Sequence, residues 1–392
     1  MGGAAEVFAV FLRLGLTSFG GPIAHLGYFR DEFVVRRRWI TDRDYGDLVA
    51  LSQFLPGPTS SQTGFAIGLM RAGWVGGIAA FVAFTLPSAL LLMAFAATAP
   101  GIEGTAGLGA LQGLKLLAVA VVAQAVLGMA RSLCPDAPRA TIAFAALLAV
   151  ALLPPAIAMV GAVVGGGLAG LAIWREAPPA TAPAPALPVG TGIGAVALAL
   201  LVALLVGLPL LSGVSQTLAA IDGYLRAGAL VFGGGHVVLP MLEAELVAAG
   251  RVAPDLFVAG YGAAQAVPGP LFSVAAFFGF VQGSGQGGIA GAALALGAIF
   301  LPGFLVLIAA LPWWARLRGL PAMHGFMTGA NAAVVGILGA ALHDPLFVGA
   351  VAGPRDLAVA VGLWVLLSAW KAPVWAVAIF AAGCGAVLAF PL

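Results

Sequence analysis

"FLPGPTSSQTG", residues 54–64, sets two prolines and a glycine inside an otherwise strongly apolar chain, and "AVPGPLFSVAAFFG", residues 266–279, repeats the device far downstream. Proline ends a helix because it lacks the N–H donor, and glycine because it is free to leave helical geometry. Such a break is costly in apolar surroundings, where freed backbone groups meet no water. The surroundings here are apolar. Of 392 residues, 62% are hydrophobic and 8% charged, and the mean hydropathy is +1.09, whereas a soluble domain carries about 25% charged residues. Several runs exceed the roughly 18 to 20 apolar residues that cross a bilayer. The chain therefore reads as an all-α polytopic membrane protein.

The two PGP stretches belong to a longer internal repeat, the signature that decides an architecture built from copies. "FLRLGLTSFGGPIAH" (11–25) aligns with "YLRAGALVFGGGHVV" (224–238), placing Arg13 on Arg226 and Gly20-Gly21 on Gly233-Gly234. Pro56-Gly57-Pro58 falls on Pro268-Gly269-Pro270, and Gln53 on Gln265. "GGIAAFVAFTLPS" (76–88) answers "GGIAGAALALGAIFLPG" (287–303), and "GLKLLAVAVV" (113–122) answers "GANAAVVGIL" (329–338), which sets Lys115 on Asn331. The expected organisation is a membrane repeat over 1–174 and a second over 217–392. Between them, 175–216 holds the Pro/Ala-rich stretch "REAPPATAPAPALP" and one connecting transmembrane helix.

Charge placement sets the orientation. Arg30, Arg36, Arg37, Arg38 and Arg43 crowd one loop of the first copy, and such basic loops face the cytoplasm. The matching loop of the second copy carries Glu243, Glu245 and Asp255 against Arg251 alone. Two homologous copies of opposite topology, inverted repeats, account for both. In this reading the FGG and PGP breaks are tips of re-entrant hairpins. Residues 4–36 and 44–71 dip in from the cytoplasm, and full spans follow near 74–98, 105–130, 140–153 and 155–174. A crossing at 190–212 leads to hairpins from outside at 217–250 and 256–281, with spans near 287–312, 322–342, 356–370 and 373–391. The N-terminus is then cytoplasmic and the C-terminus external. A rival in which each broken pair crosses completely stays open, but scatters basic residues over both sides. "MGGAAEVFAV" has no basic n-region, so no cleaved leader is expected.

Helices restarting deep in a membrane expose unpaired N–H groups and about half a positive charge each. Hairpins entering from opposite faces would gather these starts around an anion. Thr59, Ser60, Ser61 and Gln62 follow the first PGP, Ser18 and His25 flank the first FGG, and His236 and Ser273 are the sparser equivalents in the second copy. The alternative is that these hydroxyls merely cap helices. Arg13 and Arg226 are ionisable residues within apolar helices and recur at one aligned position, which marks them for an anion pathway. Snorkelling to the interface, or pairing with an acid such as Glu6 or Asp222, is the competing account. Lys115 is a weaker candidate of the same kind. Glu32 and Glu245 also align, and are either solvated loop-edge acids or sites of proton coupling.

Other chemistries lack their residues. "GSGQGG" (283–288) has no βαβ context for a dinucleotide, and no Walker A string is present. His25, His236, His324 and His343 show no metal-ligand spacing, and Cys134 and Cys384 stand far apart. No cofactor, metal or nucleic-acid partner is expected, and the chain does not read as an enzyme.

"LGLTSFGGPIAHLGYFRDEFV", "LSQFLPGPTSSQTGFAIG", "LVFGGGHVVLPMLEAELV" and "QAVPGPLFSVAAFFG" resemble the chromate ion transporter family, in its long two-domain form, over essentially the whole chain. The resemblance implies a bacterial-type inner-membrane carrier that exports chromate and confers chromate resistance, with sulfate as the structural analogue. Membrane potential or proton coupling would drive it. Another oxyanion, or an anion channel, is the alternative, and a homodimer is left open. The residues themselves say only that the ligand is negative and oxyanion-sized. The candidate ligand set read from the breaks and the recurring cations is Arg13, Ser18, Gly20, Gly21, His25, Gly57, Thr59, Ser60, Ser61, Gln62, Lys115, Arg226, Gly233, Gly234, His236, Gly269, Ser273 and Asn331. One departure matters: Leu271-Phe272-Ser273 replaces Thr59-Ser60-Ser61, so the polar half of the site is expected in the first copy.

Overall fold

The computed structural model describes residues 3–19, 21–99, 104–153, 155–174, 189–231, 238–282, 287–314 and 320–389. Among them the chain is helical, with no strand. The first copy runs α1 (Ala4–Thr17), α2 (Gly21–Phe29, prolonged by a π turn over Arg30–Arg36), α3 (Asp42–Phe54), α4 (Thr59–Thr98), α5 (Thr105–Leu133), α6 (Ala137–Leu152) and α7 (Pro155–Ile173). After α8 (Thr191–Leu211) the order returns. The second copy comprises α9 (Gln216–Ala229), α10 (Val238–Leu246), α11 (Pro254–Ala266), a 3-10 turn (Leu271–Ser273) with α12 (Val274–Val281), and α13 (Gly288–Ala310). It ends with α14 (Pro321–Ala341), α15 (Pro354–Ser368) and α16 (Val374–Leu388). Helix α4 is two helices joined at a kink, where Ala72 leaves helical geometry and Gly73 takes φ +64°. Its first arm matches the 3-10 turn and α12, and its second matches α13.

Among the described residues, five helical stretches are long and apolar enough to cross a membrane: Thr59–Thr98, Thr105–Leu133, Thr191–Leu211, Gly288–Trp313 and Pro321–Ala350. Helix α8 exposes Val196, Leu198, Val202 and Val206 and buries little of itself, as a helix apolar all round does when it faces lipid. The spans expected at 140–153, 356–370 and 373–391 appear as α6, α15 and α16, of 16, 15 and 15 residues. At 1.5 Å per residue these reach only about 23 Å, short of the roughly 30 Å hydrocarbon core. Proline is the physical reason: α6 begins just after Pro135, and Pro373 stands at the start of α16.

The copies are interlocked. Helix α5 of the first copy packs against α15 and α16 of the second, and α14 of the second packs against α6 and α7 of the first. Both contacts run along small residues. A Cβ on Gly113 would lie 2.0 Å from the Ala381 carbonyl oxygen, and one on Gly329 would lie 1.9 Å from that of Gly166. Backbone approach this close is how helices gain packing without a hydrophobic driving force between them. Gly113 and Gly329 are aligned positions, so one contact is made twice. The same holds nearer the breaks, where Gly15 of α1 abuts the Phe84 carbonyl and Gly228 of α9 abuts that of Ile299.

Candidate functional site

Helix α1 stops because Ser18 turns extended and Gly21 takes φ +77°. Helix α3 stops at Phe54, and Gly57 between its prolines takes φ +125°, a conformation that favours glycine. The two kinds of break then meet across the copies. The Gly57 N–H donates to the Val231 carbonyl at 2.7 Å, and the Gly269 N–H donates to the Ser18 carbonyl at 2.9 Å. Gly57 aligns with Gly269 and Ser18 with Val231, so the bond is made twice with roles exchanged. There is no room for a side chain at either glycine. A Cβ on Gly57 would stand 2.9 Å from Gly303 Cα, and one on Gly269 would stand 2.9 Å from Ser88 Oγ.

Around these bonds lies a buried polar shell. His25 is 0% exposed. Its Nδ1 is 3.3 Å from Ser60 Oγ, its Nε2 is 3.2 Å from the Ser18 carbonyl, and its ring stands edge-on to Phe84. Thr59, Ser60, Ser61, Gln62 and Thr63 are all buried. No side chain caps the start of α4, so its first N–H groups lack an intrahelical acceptor. Among the described residues, Ser18 Oγ, Ser61 Oγ, Thr63 Oγ1 and Thr85 Oγ1 are buried with no hydrogen-bond partner. Leaving a hydroxyl so costs about 1–3 kcal/mol each. Unpaired donors beside the positive end of a helix are the chemistry that receives an oxyanion.

Gln62 has a different task. Its Nε2 donates to the carbonyls of Pro56 (3.0 Å) and Gly303 (2.9 Å), tying the first PGP break to α13. Gln62→Leu removes both bonds, one to a half-buried and one to a buried carbonyl, and is expected to lower stability by about 2 kcal/mol, read as a fall in the melting temperature of the detergent-solubilised protein.

In the second copy the equivalent hydroxyl is already bonded. Ser273 Oγ is bonded to Ser88 Oγ at 2.7 Å, and Ser88 to the Thr85 carbonyl at 2.9 Å. This agrees with the sequence departure at 271–273. Thr85 and Ser88 are absent from the ligand set read from sequence, although "TLPS" (85–88) aligning with "FLPG" (300–303) marks the place. Gly20, Gly233, Gly234 and His236 lie outside the described residues.

The cations are bonded elsewhere. Arg13, with its side chain 50% exposed, pairs with Glu32, which also takes Arg36 (3.3 Å) and Arg37 (2.7 Å). Glu6 takes Arg37 and Arg71. Arg226 pairs with Glu245 at 2.9 Å, the same sequence separation as Arg13 to Glu32, and also with Asp222 at 3.1 Å. Lys115 pairs with Asp255 beside the start of α11, while its counterpart Asn331 has a buried Oδ1 with no partner among the described residues. Of the acids anticipated in the competing account, Asp222 pairs with Arg226, whereas Arg13 pairs with Glu32 and not with Glu6. Glu32 and Glu245 lie outside the spanning helices, and they differ. Burial works to raise the pKa of Glu32, but Arg37 and Arg13 outweigh it and hold the group below the usual carboxylate range. Burial pushes Glu245 up, and Arg226 does not offset it.

The profile of the chromate transporter family matches this chain twice, over residues 5–171 and 218–387. The chain is 30% identical to a chromate transport protein of Pseudomonas aeruginosa over 401 residues, covering 98% of this chain and 92% of the relative. It is 29% identical to one of Cupriavidus metallidurans over 343 residues, covering 85% and 80%. An uncharacterized transporter of Methanocaldococcus jannaschii is 25% identical over 319 residues, covering 80% and 77%. No solved structure matches. With both halves matched and a relative aligned over nearly its full length, the chain belongs to the chromate transporter family.

Proposed function

We propose that this protein is a secondary transporter that exports chromate across the bacterial inner membrane and so confers chromate resistance. The observation that carries the site is the reciprocal meeting of the breaks, Gly57 with Val231 and Gly269 with Ser18, beside four buried hydroxyls that lack partners. A tetrahedral dianion would take the first N–H groups of α4 and the hydroxyls of Ser18, Ser61, Thr63 and Thr85, with His25 and Ser60 fixing the geometry. Arg13 and Arg226, half-exposed beside their carboxylates, would draw the anion toward the two entrances.

The reciprocity supports a two-fold relation between the copies 1–174 and 217–392, since exchanged roles are what such an axis generates. An axis in the membrane plane makes the repeats inverted, with re-entrant hairpins from both faces, a cytoplasmic N-terminus and an external C-terminus. Energy favours the direction. One charge crossing 100 mV is worth about 2.3 kcal/mol, so a dianion leaving a negative interior gains about 4.6 kcal/mol when it moves alone, and about half of that when one proton moves with it.

The test is radiolabelled chromate flux in proteoliposomes of purified protein, with sulfate as competitor and an imposed potential. Saturable, potential-dependent flux that sulfate inhibits weakly is the expected result. Flux that never saturates would identify a channel. Sulfate flux without chromate flux would overturn the substrate, and no flux at all would overturn transport.

A further inference from the structure

The copies differ most at one point. In the first, Glu32 meets three guanidinium groups, and the position aligned with Asp222 is Ala9. In the second, one guanidinium nitrogen, Arg226 Nη2, serves two carboxylates, Glu245 Oε2 and Asp222 Oδ2. Asp222 is 3% exposed, and among the described residues its Oδ1 has no hydrogen-bond partner. Arg226 Nε has none either. The other nearby cation, Arg251, directs Nη1 to the main-chain oxygen of Glu245 at 3.5 Å and acts on Asp222 and Glu245 through its charge, more weakly than Arg226 does. The group is tightly confined, because a Cβ on Gly223 would stand 3.1 Å from both Arg251 Nη1 and Glu245 Oε2. Helices α8 and α13, which also pack on α9, carry no charged or titratable residue. On α10, Glu243 is the other acid, and Asp344 is the charge that acts on it. On α9 itself, Tyr224 is bonded to Gln282.

A buried carboxylate oxygen without a donor favours the protonated form, since burial penalises an uncompensated charge. Protonation at Oδ1 removes one of the two charges that hold Arg226. The guanidinium, left with Glu245 alone, becomes able to receive another anion. We infer that Asp222 is a proton-binding site whose occupancy releases Arg226 to the transported anion, so that proton and oxyanion bind together. The inference rests on the transport reading above. It names the coupling ion and gives it to one copy, because Ala9 leaves the other without an equivalent.

Two measurements on the purified full-length protein test this. Infrared difference spectra taken across a pH titration should show a protonated carboxyl band that Asp222→Asn removes and Asp222→Glu restores in shifted form. Calorimetric titration with chromate, in two buffers of different ionisation heat, reads the protons taken up per anion. The wild type should take up as much as one proton more than Asp222→Asn. Its affinity should rise by up to about tenfold per pH unit on acidification, while Asp222→Asn stays near the low-pH value throughout. Protonation of the anion itself affects both proteins alike and cancels in the comparison. No Asp222 band, or equal proton uptake by both proteins, overturns the inference and leaves transport standing. An Asp222 band without any chromate binding overturns the substrate reading, and the coupling with it.

Discussion

A chain carrying Ser61→Ala and Thr63→Val is expected to insert normally, melt no lower than the wild type and lose about a hundredfold or more in chromate flux. The two halves of this expectation have opposite signs for one reason. Both hydroxyls are buried without partners among the described residues, so removing them breaks no protein hydrogen bond and relieves about 1–3 kcal/mol of unmet polar cost at each position. In the loaded protein each would donate to a dianion, and a hydrogen bond to a charged group is worth about 1.5–3 kcal/mol. Losing two such bonds corresponds to about two powers of ten at least. Thermal melting and vesicle flux of the same preparation check both halves. Undiminished flux would move the ligand away from the start of α4. A lower melting temperature would show that these hydroxyls hold the fold instead.

The second large effect concerns the seam between the copies. Gly329→Ala and Gly336→Ala should each cost several-fold in folded yield and lower the melting temperature by many degrees. Alanine is the better helix former by about 1 kcal/mol, so propensity alone predicts the reverse. The obstacle decides the sign. The new methyl would lie 1.9 Å from the Gly166 carbonyl oxygen at position 329, and 1.8 Å from that of Ala143 at position 336. A backbone carbonyl cannot rotate aside as a side chain can, so α14 must part from α6 and α7. Overpacking of this kind costs about 1–3 kcal/mol and more when the neighbours are fixed. Gly297→Ala is the control, since a Cβ there meets nothing within 4 Å, and it should hold or raise stability. Size-exclusion profiles after a heat step would compare the three. Equal survival would mean that the seam is looser than these distances describe.

The element order was legible in the sequence because proline and glycine act locally. Pro56-Gly57-Pro58 and Pro268-Gly269-Pro270 impose the same break wherever they stand, and the helices end at Phe54 and Ala266 accordingly. Family membership was legible in the same motifs. What escaped depends on distance. Nothing near Lys115 announces that Asp255 will meet it, and the alignment of Glu32 with Glu245 did not by itself pair them with Arg13 and Arg226. Thr85 and Ser88 were overlooked because an apolar span surrounds them, and only the shared prolines 87 and 302 point to the spot. Helices α6 and α15 were read at nearly their observed lengths, as 140–153 and 356–370, and α16 was read three residues past its end at Leu388.

The exchange of helix pairs between the copies bears on how the protein is made. Helix α5 is complete at residue 133, but the partners that cover it, α15 and α16, begin at residue 354. Through most of synthesis the first copy must wait in the membrane with its small-residue face bare or borrowed by lipid. Neither copy is a domain that matures alone, whatever its ancestry. A gene encoding a single copy would have to recruit a second polypeptide to complete the same seam.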